Sequence, residues 1–201
     1  MANYMSMDHL RFLMHEVHHL GEIISYDKFQ DLDIDSIDML LEAAKSWADQ
    51  EWYPYFREMD EKPAYFKENK VFSHPQLKKI FKDAGDNGWI GMYFDYKHGG
   101  MQLPYFVALG VNHIFESANN HITGYLGLTA GSADLITTFG NQTLIDEYVP
   151  KMLAGTWGGT MCLTEPQAGS SLSDVKTAAT LQSDGSYKIS GQKIFISGGD
   201  H

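Results

Sequence analysis

The chain has 201 residues, 43% of them hydrophobic and 20% charged, which is typical of a globular protein with a sizeable core. A net charge of −11 with only two arginines, Arg11 and Arg57, argues against a nucleic-acid or acidic-lipid surface. The lone cysteine, Cys162, excludes a disulfide framework and favours a reducing compartment. Since neither a long apolar run nor a cleavable leader is visible, we predict no transmembrane segment and a cytoplasmic location.

The first predicted element is one amphipathic helix within residues 5–24, where apolar residues recur at helical spacing. Its polar face carries His15, His18 and His19, whose i, i+3 and i+4 spacing suits metal chelation. No carboxylate or cysteine completes such a set nearby. Packed or solvated histidines are therefore the preferred interpretation, and we predict no metal.

The remaining helices are predicted from apolar stripes bounded by capping residues, prolines and glycines. They are expected from an N-cap at Asp35 towards Pro54, from Pro75, from Pro104 to Ser117, from there to Gly140, and over 142–153. Tyr53, Tyr55 and Phe56 are interpreted as core rather than as a ligand wall. Small residues line one side of the helix before Gly140 and would permit close approach of another backbone or of a slender ligand chain. Close packing against another helix is the preferred interpretation.

Beyond Trp157 the hydrophobic period changes from 3.6 towards 2, which marks the predicted domain boundary. Strands are predicted over Gly158–Leu163, Thr177–Leu181, Tyr187–Ser190 and Lys193–Ser197, with Asp184-Gly185 as a hairpin turn. Helices followed by strands predict an α+β fold, with an all-α domain preceding an antiparallel β-domain.

Two segments of the β part carry candidate chemistry. The first consists of Met161, Cys162, Leu163, Thr164, Glu165, Pro166, Gln167, Ala168, Gly169 and Ser170. Its Pro and Gly residues predict a turn whose amides and hydroxyls suit a pyrophosphate, a flavin edge or a thioester carbonyl, although a locally capped connection would have the same residues. In the second, Phe195 and Ser197 share a strand face with Lys193 and could present a ring and a hydroxyl to an isoalloxazine. The alternative is an ordinary two-sided strand.

Together, residues 161–170 and the later run Ile-Ser-Gly-Gln-Lys-Ile-Phe-Ile-Ser-Gly-Gly resemble the middle β-domain of the acyl-CoA dehydrogenase family of flavoenzymes. The resemblance implies an extension helix at 1–34, a helical domain at 35–156 and an incomplete β-domain at 157–201. It implies that FAD is bound by Met161 to Ser170 and by Phe195, Ile196 and Ser197, with Ser170 also contacting the substrate. The family commonly has Trp, Thr and Asp where this chain has Phe195, Ser197 and Ser171.

The resemblance implies an FAD-dependent enzyme that oxidises an acyl-CoA to a trans-2-enoyl-CoA, passes electrons to an electron-transfer flavoprotein and forms a homo-oligomer at full length. Its base is a Glu in a C-terminal helical domain that this sequence does not include, so we expect an inactive fragment and assign no catalytic residue. Glu165, beside a proline in a turn, is expected to be structural. The alternatives are an oxidase-like enzyme that uses dioxygen and a noncatalytic relic or interaction domain.

Overall fold

The computed structural model describes residues 3–200 and divides them into two units. One unit runs to Gly159 and includes Asp200, and the other is Thr160–Gly199. The helices are α1 (Met7–Phe12), α2 (Leu20–Ile24), α3 (Ile34–Trp47), α4 (Phe56–Glu61), α5 (Pro75–Asp86), α6 (Tyr105–Phe139) and α7 (Gln142–Leu153). The strands form two antiparallel hairpins, β1 (Tyr65–Lys67) with β2 (Lys70–Phe72), and β3 (Ala178–Leu181) with β4 (Tyr187–Ser190). The predicted α+β class is confirmed.

Short segments of other helical types connect these elements. Leu13–Val17 and Ala48–Trp52 are π-helical, and Asp27–Phe29, Tyr53–Tyr55, Tyr96–His98 and Leu172–Asp174 are 3-10 helices. The π-helical segment after α1 and the left-handed backbone of His19 (φ 50°) interrupt the single helix predicted for residues 5–24. That prediction is wrong because a regular apolar period does not reveal a local break in the hydrogen-bond ladder.

The start of α3 is set by Asp33 rather than by Asp35. The Asp33 carboxylate accepts a hydrogen bond from the Ser36 amide at 2.7 Å, and the Ser36 hydroxyl accepts one from the Asp33 amide at 3.1 Å. This reciprocal pair satisfies two amides that the first helical turn would leave without partners. The predicted cap at Asp35 is therefore wrong, although the helix itself is present.

The core of the helical unit lies where α3 and the following π-helical segment meet α6. Trp52 is fully buried, and its ring stacks on that of Phe115 with 4.7 Å between centroids. Asn119 interrupts α6 with an extended backbone, and its side-chain amide donates to the Trp52 carbonyl at 3.1 Å. The two helices predicted between Pro104 and Gly140 thus correspond to the two halves of α6, which are joined by a kink at Asn119.

The β-structure agrees with the predictions only in part. The strands predicted at 177–181 and 187–190 are confirmed as β3 and β4, with Gly185 (φ 83°) in the turn. The strands predicted at 158–163 and 193–197 are wrong, because these stretches have no ladder of backbone hydrogen bonds and Phe195 has φ 55°. The β1–β2 hairpin, whose turn residues Glu68 and Asn69 both have positive φ, was not anticipated.

No helix among residues 3–200 combines the length and apolar character that a membrane-spanning segment requires.

Candidate functional site

The two segments proposed from the sequence to bind a ligand lie next to each other in the second unit. The amide of Ile194 donates to the carbonyl of Thr164 at 2.9 Å. The ammonium of Lys193 donates to the carbonyl of Leu163 at 3.0 Å. The turn at Thr164 and the chain entering Phe195 are therefore held side by side within Thr160–Gly199, although neither is a regular strand.

A buried carboxylate strengthens this junction. Glu165 is only 3% exposed and accepts four hydrogen bonds. Its donors, here called the Glu165 cluster, are the Lys193 ammonium at 2.8 Å, the Lys176 amide at 2.7 Å, the Thr177 amide at 2.9 Å and the Gln167 side-chain amide at 2.5 Å. The cluster joins three stretches that are distant in sequence.

The protonation state of Glu165 follows from these partners. The Lys193 ammonium first, and then Thr177 and the Lys176 amide, hold the pKa of the Glu165 carboxyl well below its usual range. The group is thus ionised at neutral pH with its oxygens occupied, which makes it a poor general base. The structural role expected for Glu165 agrees with this geometry. The sequence interpretation placed Lys193 on a ligand-facing strand surface, but its ammonium instead binds Glu165.

The turn predicted around Pro166 is present. Glu165 and Ala168 exchange backbone hydrogen bonds of 2.8 and 3.1 Å, which leaves Pro166 and Gln167 at the tip. Gly169 and Ser170 follow on the exposed side. The turn thereby directs the carboxylate inward and leaves the next residues accessible to a ligand.

Several polar groups beside the junction are available to a ligand. Within residues 160–199 no hydrogen bond occupies the amides of Thr164, Gly169 or Ser170, nor the hydroxyls of Thr164, Ser170 and Ser197. Apolar surface accompanies them, since Phe195 is 87% exposed and Met161 is 61% exposed. The structure brings Thr164 to Ile194 but shows no bond from Ser197 or Ser170 to the Thr164 turn within this described stretch. Exposed donors beside exposed apolar side chains suit a planar ligand with a polar edge.

Other candidate groups of the sequence do not converge. His15 lies 3.0 Å from the Asp38 carboxylate, His18 packs edge-on against Phe106, and His19 begins a new helix. Among residues 3–200 no three histidine, cysteine or acidic side chains are arranged to hold a metal ion.

Two packing interpretations need correction. Tyr53 and Phe56 are more than 40% exposed and are therefore partly solvated rather than core. Tyr55 is half-buried and packs against the core, which agrees with the prediction. The small residues of α6 were expected to pack against another helix. Ala130 and Ala133 are buried in the core, which agrees with that expectation. A Cβ added at Gly124, Gly127 or Gly131 would meet no atom within 4 Å, so these three positions are open among the described residues.

Comparison with known proteins places this chain in a family. The family model described as "Acyl-CoA dehydrogenase, N-terminal domain" matches residues 35–156. The chain belongs to the acyl-CoA dehydrogenase family. It is 32% identical to 3-methylmercaptopropionyl-CoA dehydrogenase of Ruegeria pomeroyi over 96% of this chain and 33% of that protein. It is 33% identical to the broad-specificity linear acyl-CoA dehydrogenase of Mycobacterium tuberculosis over 94% of this chain and 31% of that protein.

This member of the acyl-CoA dehydrogenase family spans about a third of the length of the curated relatives it matches. Its fold is also that of an acyl-CoA dehydrogenase from Bacillus anthracis solved in complex with FAD, with a TM-score of 0.67 and 23% identity. That likeness covers 83% of this chain and 27% of the other. The family thus implies FAD as the cofactor.

The residues of this acyl-CoA dehydrogenase family member fit part of an FAD site. The unoccupied donors at Thr164, Gly169 and Ser170 match the acceptor-rich edge and phosphates of FAD, and the exposed Phe195 ring offers a face for stacking. Among residues 160–199 only Glu165 and Ala168 are buried, so no buried side chain of this unit covers the exposed donors. The donor set is accordingly compatible with the cofactor.

Proposed function

We propose that this chain forms part of an FAD-dependent acyl-CoA dehydrogenase that converts an acyl-CoA thioester to the trans-2-enoyl-CoA. Residues 161–170 and 195–197 are the proposed FAD contacts, and Ser170 is the proposed contact to the acyl-CoA. The observation that carries the proposal is the junction at Thr164, where the Ile194 amide donates to its carbonyl. This bond brings the two proposed FAD-binding segments together.

Each part of the site has a distinct task in this proposal. The hydroxyl and amide of Thr164 donate to the polar edge of the ring system, while Phe195 covers an apolar face. FAD, when bound, supplies the acceptor for the hydride that leaves the β carbon of the acyl chain. The residues of the Glu165 cluster hold the turn in place and transfer no proton. Removal of the α proton is assigned to a Glu outside this sequence, as the family resemblance implies.

The rest of the proposal extends to the complete enzyme. Residues 1–34 are the proposed extension, 35–156 the helical scaffold and 157–201 the portion of the β-domain that contacts FAD. The enzyme is proposed to pass electrons to an electron-transfer flavoprotein and to assemble as a homo-oligomer. The presence of one cysteine, Cys162, in these 201 residues supports the proposed cytoplasmic location.

A titration of the 201-residue chain with FAD tests the proposal, with quenching of flavin fluorescence as the readout. We expect the wild-type chain to bind FAD and Thr164→Val to bind it about fivefold to tenfold more weakly, because a hydrogen-bond donor is lost. Thr180→Val is the matched control, since it removes an exposed hydroxyl from β3 in the same unit. Absence of quenching by the wild-type chain, or an equal effect of the two substitutions, would contradict the proposed site.

A further inference from the structure

We propose that Glu165 is a positioning residue for FAD, because it fixes the separation of the two segments that contact the cofactor. The inference rests on the proposed function and assigns a new task within that site. Glu165 itself touches no ligand in this proposal. It acts through Thr164, its neighbour in the chain, and through Lys193, which precedes Phe195 by two residues.

The composition of the second unit gives the first argument. Among residues 160–199 only Glu165 and Ala168 are buried, and both hairpin strands, β3 and β4, are exposed along their whole length. Apolar burial is therefore too small in this unit to set the positions of its loops. Directional polar contacts must do so instead, and the Glu165 cluster concentrates four of them on one side chain.

The second argument comes from which stretches the cluster joins. Lys193 donates to both Glu165 and the Leu163 carbonyl, so its ammonium connects the two residues that flank Thr164. The amides of Lys176 and Thr177 fasten the same carboxylate to the chain that enters β3. If Glu165 is neutralised, Lys193 loses its charged partner, and only its bond to the Leu163 carbonyl and the backbone bond from Ile194 to Thr164 still join the two segments directly.

The third argument is electrostatic. The Glu165 carboxylate is nearly inaccessible to water, so its negative charge requires the Lys193 ammonium and the amides around it. In Glu165→Gln, one accepting oxygen of the side chain is replaced by an NH2 group, which is itself a donor. The surrounding donors then face another donor and lose an acceptor. The local geometry must then rearrange, and the residues that move are Thr164 and those leading to Phe195. A loss of FAD affinity follows from this displacement rather than from a lost contact with FAD.

The test compares FAD affinity in five forms of the 201-residue chain: wild type, Glu165→Gln, Lys193→Gln, Lys193→Arg and Lys188→Gln. Lys188 is an exposed lysine of β4 and controls for the loss of one positive charge from the same unit. We expect Glu165→Gln and Lys193→Gln to weaken FAD binding about tenfold or more, since each breaks a charged hydrogen bond. Lys193→Arg should restore most of the affinity, and Lys188→Gln should leave it within about twofold.

Amide hydrogen exchange without FAD reports the same cluster independently of the cofactor. Lys176 and Thr177 should exchange faster in Glu165→Gln than in the wild type, while the amides of α3 and α6 stay protected. If Glu165→Gln does not fold, the contrast between Lys193→Gln and Lys193→Arg still decides the matter. Wild-type affinity in Lys193→Gln, or equal losses in Lys193→Gln and Lys188→Gln, overturns the inference alone. Failure of the wild-type chain to bind FAD overturns the proposed function together with it.

Discussion

Replacing Gly85 by alanine should destabilise the helical unit, although alanine is the better helix former. A Cβ built at Gly85, near the end of α5, would lie 2.2 Å from the Ala154 carbonyl carbon and 2.3 Å from the Gly155 nitrogen. Gly155 has φ +62°, and a Cβ there would lie 2.6 Å from the Phe81 carbonyl oxygen. The ends of α5 and α7 thus meet backbone to backbone, and both must separate to admit a methyl group.

The expected magnitude is the difference of two effects. Forcing an extra carbon into close-packed backbone costs about 1–3 kcal/mol or more, whereas replacing Gly by Ala inside a helix contributes up to about 1 kcal/mol. We expect a net loss of about 2 kcal/mol for Gly85→Ala, or about 4–8 °C in Tm. Gly127→Ala is the matched control, because a Cβ at Gly127 of α6 meets no atom within 4 Å. It should raise stability by about 0.5–1 kcal/mol.

Urea and thermal unfolding followed by circular dichroism at the helical band measure both variants. The reasoning requires opposite signs for the same chemical substitution at two helical glycines. An unchanged unfolding midpoint in Gly85→Ala would refute the close approach of α5 and α7. A destabilised Gly127→Ala would instead show that the α6 face is covered.

Further predictions concern the helix cap and one tyrosine. Asp33→Ala should cost about 1 kcal/mol of unfolding free energy because it removes the cap of α3, while Asp35→Ala should cost less in the same urea experiment; equal losses would refute the assignment of the cap. Burial, and then the charge of Asp134 and the neighbouring Tyr105, raise the pKa of Tyr93 to about 12. Since the unfolded phenol ionises near pH 10, stability should be intact below that pH and fall as pH rises towards 12. Tyr93→Phe should reduce this alkaline loss, measured by unfolding midpoints against pH, and an identical pH profile would contradict it.

The sequence predicts best where a local rule decides the backbone. Pro75 begins α5, where a proline is tolerated because the amide it lacks would have no hydrogen-bond partner within the helix. Asp184-Gly185 forms the β3–β4 turn, because Gly185 adopts the positive φ that the turn requires. The N-cap of α3 is predicted two residues too late because Asp33 and Asp35 have the same side chain and are equally good hydrogen-bond acceptors. The side chain of Ser36 decides between them, through a reciprocal bond with Asp33 that the sequence interpretation did not weigh.

Alternation of side chains fails where a strand needs a partner from elsewhere. Residues 193–197 alternate like a strand, yet a single backbone–backbone bond, from Ile194, joins them to the Thr164 turn, and the other bonds to it come from the Lys193 side chain. Alternation describes which side chains could share a face, but it contains no information about the chain that would complete the ladder. The candidate segments could therefore be found from sequence, whereas their irregular backbone and the left-handed Phe195 could not.

The Glu165 cluster is a second feature that could not be predicted from the sequence, and the reason is physical. A lone Glu in a turn gives no sign of being buried, and three of its four partners lie 11, 12 and 28 positions away. Once burial is known, the requirement for a cation and several amides follows directly, since an unpaired buried carboxylate is strongly unfavourable. The chemistry of the site thus depends on two levels. In the proposed FAD site, residue types in each segment determine what can be bound, and the Glu165–Lys193 ion pair is the group that we propose holds the segments close enough to bind it together.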